Sequence, residues 1–214
     1  IPVDSTRTTL ICPGVTQTQL RDVLQKAELR LRKPAQVWLR AADATRLVGE
    51  MSLGSGVDVR DTEAFGDVLV ATGRPSITAR QEWYAEYAVE IPREGHWAVW
   101  GRVRYPRGGD QSFGFVVPGE RVTLAPADGQ VLGNCGVGSD RWHWTGQGGG
   151  STATPPGQPL SRRLEAGPFT FRIHAREGAG TARTNPRLDL ICLTEDAEQA
   201  PTDEEAKAWL ERQE

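Results

Sequence analysis

The chain has 214 residues, enough for one sizeable core, and a formal net charge of −3 from 25 basic and 28 acidic residues, so no global field draws it to nucleic acid or to an anionic membrane surface. Its 24 glycines, 14 prolines and 38% hydrophobic residues describe a turn-rich fold and exclude a helical bundle. No uninterrupted apolar run is long enough for a spanning helix.

The sequence opens at Ile1 with no basic-then-apolar leader, as either a processed or a trimmed chain would. Thr16 and Gln19 have the spacing of a capping box, in which hydroxyl and amide satisfy reciprocal backbone donors. A helix is predicted to start there. Leu20, Val23, Leu24, Ala27 and Leu31 fall on one face, and Pro34 stops it. Residues 1–34 are therefore an extension, 35–196 the main domain and 197–214 a tail.

Residues 36–42 read as a first strand and 67–72 as a second. Ala85, Tyr87, Val89 and Ile91 then share one side of a strand, 92–95 turns, and Trp97, Val99, Gly101, Val103 and Tyr105 share one side of the next. The pattern predicts a hairpin with one buried face. Strands follow at 112–117, 121–124, 130–132 and 141–145, and the Gly/Ser/Thr/Pro-rich stretch 146–157 reads as a mobile loop. Residues 160–164, the strict alternation Phe169-Thr-Phe171-Arg-Ile173, and 188–193 complete about ten strands, the spacing of two packed antiparallel sheets. Thr202 followed by Asp203, Glu204 and Glu205 is a second capping box, predicting a last helix to about Arg212. That helix either packs lightly on the sandwich or leads into a further domain.

Cys12, Cys135 and Cys192 are widely spaced and odd in number, which excludes a Cys-x-x-Cys metal or redox site. Cys192 lies in the apolar run Leu190-Ile-Cys-Leu193 and reads as a small buried hydrophobe. If any pair is oxidised, it is Cys12 with Cys135. Three isolated histidines, His96, His143 and His174, supply no zinc-ligand spacing, and no Gly-x-Ser-x-Gly elbow or phosphate loop is present. A carboxylate pair for glycoside hydrolysis has no sequence signature, because the fold sets its separation. The reading is non-catalytic.

Five pieces in order carry a family resemblance: Trp38-Leu-Arg-Ala-Ala-Asp-Ala44, the stretch Tyr87 to Val103, Trp142-His-Trp144, Leu164-Glu-Ala-Gly-Pro-Phe-Thr-Phe-Arg-Ile173, and Leu188-Asp-Leu-Ile-Cys-Leu-Thr194. Residues 36–196 thereby resemble carbohydrate-binding modules related to families 6 and 35, galactose-binding-like jelly-roll β-sandwiches. The resemblance implies a secreted or periplasmic module that binds a polysaccharide or oligosaccharide, with no cofactor. Such modules commonly hold a structural calcium with two glutamates of the opening strand and the aspartate of the closing one. Here Arg40 and Ala42 stand at the glutamate positions while Asp189 is kept, so no metal is expected. Arg40 is expected to pair with Asp189 instead.

A sugar site usually offers an exposed aromatic ring with planar polar partners. Alternation puts Trp142 and Trp144 on one side of a strand and His143 on the other; the two indoles are either ligand-facing or core. Arg187, with Asn185 two positions earlier, stands where the resemblance places a polar contact, and a guanidinium there suits a uronate carboxylate. An acidic polysaccharide is the implied ligand, a surface arginine without a role the alternative. Trp100, with Arg102 and Arg104, either lines a binding face or belongs to a solvated outer sheet, and Arg107-Gly-Gly-Asp110 is a candidate rim. The competing reading is a jelly roll that has lost sugar binding and serves as a structural or protein-interaction domain through its terminal helices.

Overall fold

A computed structural model describes residues 16, 18–19, 21–23, 33–54, 63–74, 76, 79–105, 112–135, 141–150, 154–176 and 185–213. Two compact units are present, residues 1–34 and 35–214. In the first, the predicted capping box forms: the Thr16 N–H donates to Gln19 Oε1 (2.9 Å) and the Gln19 N–H to Thr16 Oγ1 (3.2 Å). Helical residues follow, and Val23, assigned to the apolar stripe, is 59% exposed. Leu20, Leu24, Ala27, Leu31 and Cys12 lie outside the described residues, as does the side chain of Cys135.

The second unit is an all-β jelly-roll sandwich of thirteen strands: β1 (Gln36–Arg40), β2 (Arg46–Val48), β3 (Met51–Leu53), β4 (Leu69–Ala71), β5 (Tyr84–Ile91), β6 (Gly95–Arg104), β7 (Ser112–Val116), β8 (Val131–Cys135), β9 (His143–Thr145), β10 (Gln147–Gly150), β11 (Leu160–Leu164), β12 (Gly167–Ala175) and β13 (Arg187–Thr194). A short helix α1 (Ala79–Glu82) precedes β5, and α2 (Asp203–Leu210) follows β13. One sheet runs β11-β6-β13-β4-β3, with β9 on β6 and β1 on β13; the other runs β10-β8-β7-β12-β5-β2. All pairs are antiparallel except β10 with β8.

The predicted hairpin of residues 84–105 does not form. β5 pairs with β12 and β2, whereas β6 pairs with β13, β11 and β9, so the turn at 92–95 crosses from one sheet to the other. The inward faces of both strands meet across the sandwich, which is why their alternation looked like that of a hairpin. Tyr87 stacks on Phe171 at 5.3 Å, and Phe171 on Phe115 at 5.1 Å. At Gly101 an added Cβ would come within 2.9 Å of Leu132 of the facing sheet, so the close approach of the layers requires glycine there.

Two further expectations fail for local reasons. Residues 121–124 are not a strand, because the Gln130 side chain takes over their donors: its Oε1 accepts from the Thr123 and Leu124 N–H groups at 2.9 and 3.0 Å. Within the glycine-rich stretch, Gln147–Gly150 is a strand, its lack of bulk allowing the backbone to lie on β8: a Cβ on Gly148 would sit 2.3 Å from Asn134 O. The short strands β2 and β3 have no counterpart in the sequence pattern, because three residues are too few to display a period.

Helix α2 is integral to the sandwich unit. Thr202 caps it, its Oγ1 accepting from the Glu205 N–H (3.2 Å) while Glu205 returns a bond to the Thr202 N–H (2.9 Å). Ala206 is fully buried in a second apolar cluster with Ala98, Trp100, Trp144, Leu190 and Cys192. This cluster lies on the outer face of the β6-containing sheet, so both faces of β6 and β13 are covered. Within α2 itself only Ala206 is buried, so the helix rests on the sandwich through a small contact.

Candidate functional site

The strand register builds the site. Arg187 on β13 lies opposite Val70 on one side and Arg104 of β6 on the other. β9 pairs with β6 through Val103↔His143 and Arg102↔Trp144, and continuing that register by one residue places Trp142 beside Arg104. Residues paired across antiparallel strands point to the same face, about 5 Å apart. Val70, Arg187, Arg104 and Trp142 therefore form one row across the outer face. Trp142 and Arg104 are half-buried and Arg187 is 8% exposed. The Trp142 indole nitrogen is buried with no hydrogen-bond partner among the described residues.

One row further along the same face lies a buried ionic network. The Arg102 guanidinium donates to Asp189 Oδ2 (2.5 Å), to both oxygens of Asp203 (2.8 and 3.0 Å) and to the Glu63 carbonyl (3.2 Å). Its planar fork is suited to two carboxylates at once. It also lies 4.0 Å from the ring centroid of Phe65 and 5.1 Å from that of Trp142, within cation–π range. Asp189 reaches this face because the β13–β6 register shifts between Leu188 and Leu190; Asp189 is the extra residue of a bulge. Burial pushes its carboxyl up to about 6, opposed by the Arg102 charge and the Phe65 N–H. Asp203 is shifted the other way: burial raises it, but the hydrogen bond and charge of Arg102 outweigh that and hold it below the usual carboxylate range.

The expected Arg40–Asp189 pair is thus replaced. Arg40 turns back to Asp43 at 2.8 Å across the three-residue turn that ends β1, and Arg102 neutralises Asp189. Arg102 was read as lining a binding face or solvating the outer sheet, and it is instead 2% exposed. Its second partner, Asp203, lies 101 positions away, and its only sequence signal was an acid in the first turn of a capped helix.

Of the five residues singled out for ligand binding, the fold brings Trp142 and Arg187 into one row, with Arg104 between them. The other three have packing roles. Trp144 is 7% exposed, donates its indole N–H to Asp203 Oδ1 (3.1 Å) and meets Trp38 edge-on at 5.5 Å. Trp100 is 2% exposed beneath α2. Asn185 is fully buried, and its amide donates to the carbonyls of Ala71 and Gly73 at 2.7 and 2.8 Å, fixing the start of β13 against the end of β4. With α2 seated, the side chains of these three are covered, as that of Arg187 nearly is. His143 takes the opposite side from the two indoles, with its ring edge-on to Tyr105 at 5.3 Å. The rim residues 107–110 lie outside the described residues. Among the described residues no group of three or more His, Cys, Asp or Glu side chains comes together to hold a metal ion.

A half-buried indole lies beside two guanidinium groups, each of which already has an interaction within the protein. That set can stack on a sugar ring and hold a carboxylate.

No family model and no curated protein matches the sequence. Among solved structures, the chain is similar to the family 6 carbohydrate-binding module at the C-terminus of a marine laminarinase from Zobellia galactanivorans, at 13% identity over 75% of this chain and 100% of that one, TM-score 0.46. It is likewise similar to a family 35 carbohydrate-binding module from Clostridium thermocellum, at 14% identity over 74% of this chain and 97% of that one, TM-score 0.46. An isomalto-dextranase from Arthrobacter globiformis shares 18% identity over 74% of this chain, TM-score 0.47, and there the chain spans 23% of the enzyme. The neighbours are thus carbohydrate-binding modules of families 6 and 35, together with an enzyme of which this chain matches one part.

Proposed function

We propose that the protein is a non-catalytic glycan-binding module of a secreted protein, taking a carboxylate-bearing polysaccharide on the outer row Trp142, Arg104 and Arg187. The observation that carries this reading is the register that sets two guanidinium groups and an indole side by side on one sheet face. Trp142 stacks on a pyranose face, Arg104 draws the carboxylate by its charge, and the nearly buried Arg187 adds positive charge behind it. The ordered five-piece sequence resemblance supports a glycan as the ligand, and the arginines its acidic character. Affinity electrophoresis in gels containing polygalacturonate, alginate or glucuronoxylan should retard the full chain, while a neutral glucan should not. Trp142→Ala and Arg104→Ala should each weaken retardation about tenfold or more, the scale of one stacked ring or one charge-assisted pair. No retardation in any acidic gel, or retardation untouched by both substitutions, overturns the proposal.

The second reading is a jelly roll that serves as a protein-interaction domain through its terminal helices. The burial of Trp100, Trp144 and Asn185 favours it, since those side chains serve the fold. It predicts no glycan retardation and a stable complex with a protein partner whose formation is lost when exposed residues of α2 are reversed in charge.

A further inference from the structure

The site row does not end at Arg104. Arg102, two residues along the same strand and on the same face, lies 5.1 Å from the Trp142 ring, so its guanidinium borders both the row and the surface beneath α2. That surface repeats the chemistry of the row, with a guanidinium beside the indoles of Trp144 and Trp38. Helix α2 covers it with matching groups. The Asp203 carboxylate lies on Arg102 in a two-pronged contact, and the flat ring of Trp209 stacks on Trp38 at 6.0 Å and 19°.

We propose that α2 is a tethered occupant of a second stretch of the glycan surface, with Asp203 and Trp209 standing where the carboxylate and ring face of an acidic sugar chain would lie. This rests on the glycan reading of the adjoining row. A chain bound along Trp142, Arg104 and Arg187 extends toward Arg102 and exchanges its carboxylate for that of Asp203. The helix then lifts, and Trp144 joins the stacking platform.

Two features make α2 the removable part. It has only eight residues, of which Ala206 alone is buried, and elements with few buried contacts open at low free-energy cost. In the Arg102–Asp203 pair the Asp203 side chain is 40% exposed while that of Arg102 is 3% exposed, so a ligand can reach the contact from the Asp203 side. A ligand that binds only the lifted state draws the population toward it by its differential affinity.

Cys192 is the reporter, being fully exposure-protected in the cluster under α2. In the full chain carrying Cys12→Ser and Cys135→Ser, the rate at which a thiol reagent labels Cys192 measures helix lifting without disturbing α2. Saturating polygalacturonate, alginate or glucuronoxylan, whichever the gels show to bind, should speed labelling about tenfold. Asp203→Asn in the same background should speed it without glycan. Binding through Trp142 and Arg104 with labelling unchanged or slowed overturns the tethered-occupant proposal and leaves the glycan reading standing. Absence of binding to all three glycans overturns both. Slow labelling in the Asp203→Asn protein overturns the role assigned to the Asp203 carboxylate.

Discussion

The Arg102 guanidinium joins β6, β13, α2 and the segment around Phe65. Its side chain and that of Asp189 are 3% and 0% exposed, so removing one partner leaves the other charge without compensation. Arg102→Met should destabilise the domain by about 3–5 kcal/mol, the cost of breaking a buried pair from one side. The loss should be smaller at pH 5 than at pH 8. Asp189 already sits above the value of an unfolded aspartate, and without Arg102 it moves further up. Its ionisation then costs native stability as pH rises, whereas at low pH it holds a proton in the folded state. Urea denaturation at the two pH values checks this, and an equal loss at both would contradict it. At this scale the sequence was only partly legible. Alternation along β6 placed Arg102 on the outer face, but charge pairing depends on distance in space, and neither the bulge at Asp189 nor the return of Asp203 leaves a local pattern.

At the level of elements, capping chemistry was readable wherever it was local. The Thr202–Glu205 box requires four consecutive residues and forms as predicted. Thr202→Ala should therefore cost about 1 kcal/mol. Because α2 is a locally separable element, the loss should appear first as faster amide exchange in residues 203–210, with β12 unaffected; equal loosening of both would mean that the helix and sandwich open together. The turn at 92–95 marks the opposite case. Two alternating strands joined by four residues fit a hairpin and a sheet-to-sheet crossing equally well, since both leave one apolar face per strand. What separates them is the partner on the far edge: β12 pairs with β5 and β13 with β6, choices made about 75 or more residues downstream, at the range where pairing is a property of topology.

For the molecule as a whole, acid stability follows from two imidazoles, one buried and one half-buried. His174 is fully buried, with Nδ1 3.1 Å from the Arg80 carbonyl, and burial lowers its pKa; burial likewise lowers that of His143. In each case the unfolded chain binds the proton more readily, so their contribution is complete above about pH 6.5 and falls as the pH drops below it. The stability advantage of the natural protein over a His174→Gln variant should narrow between pH 7.5 and 5, by at most about 1.4 kcal/mol per pH unit. A gap that stays constant or widens would count against this account. By itself, the sequence determined the class of fold, the inward face of its long strands and the start of its last helix, because these depend on residues a few positions apart and on the two periods of the backbone. Only the tertiary structure decided that β5 and β6 belong to different sheets, that Trp100 and Trp144 lie beneath a helix, and that Trp142, Arg104 and Arg187 share one row. Each of those facts depends on which distant strand lies alongside and what covers it, and long-range pairing and burial are set by the packing of the whole chain.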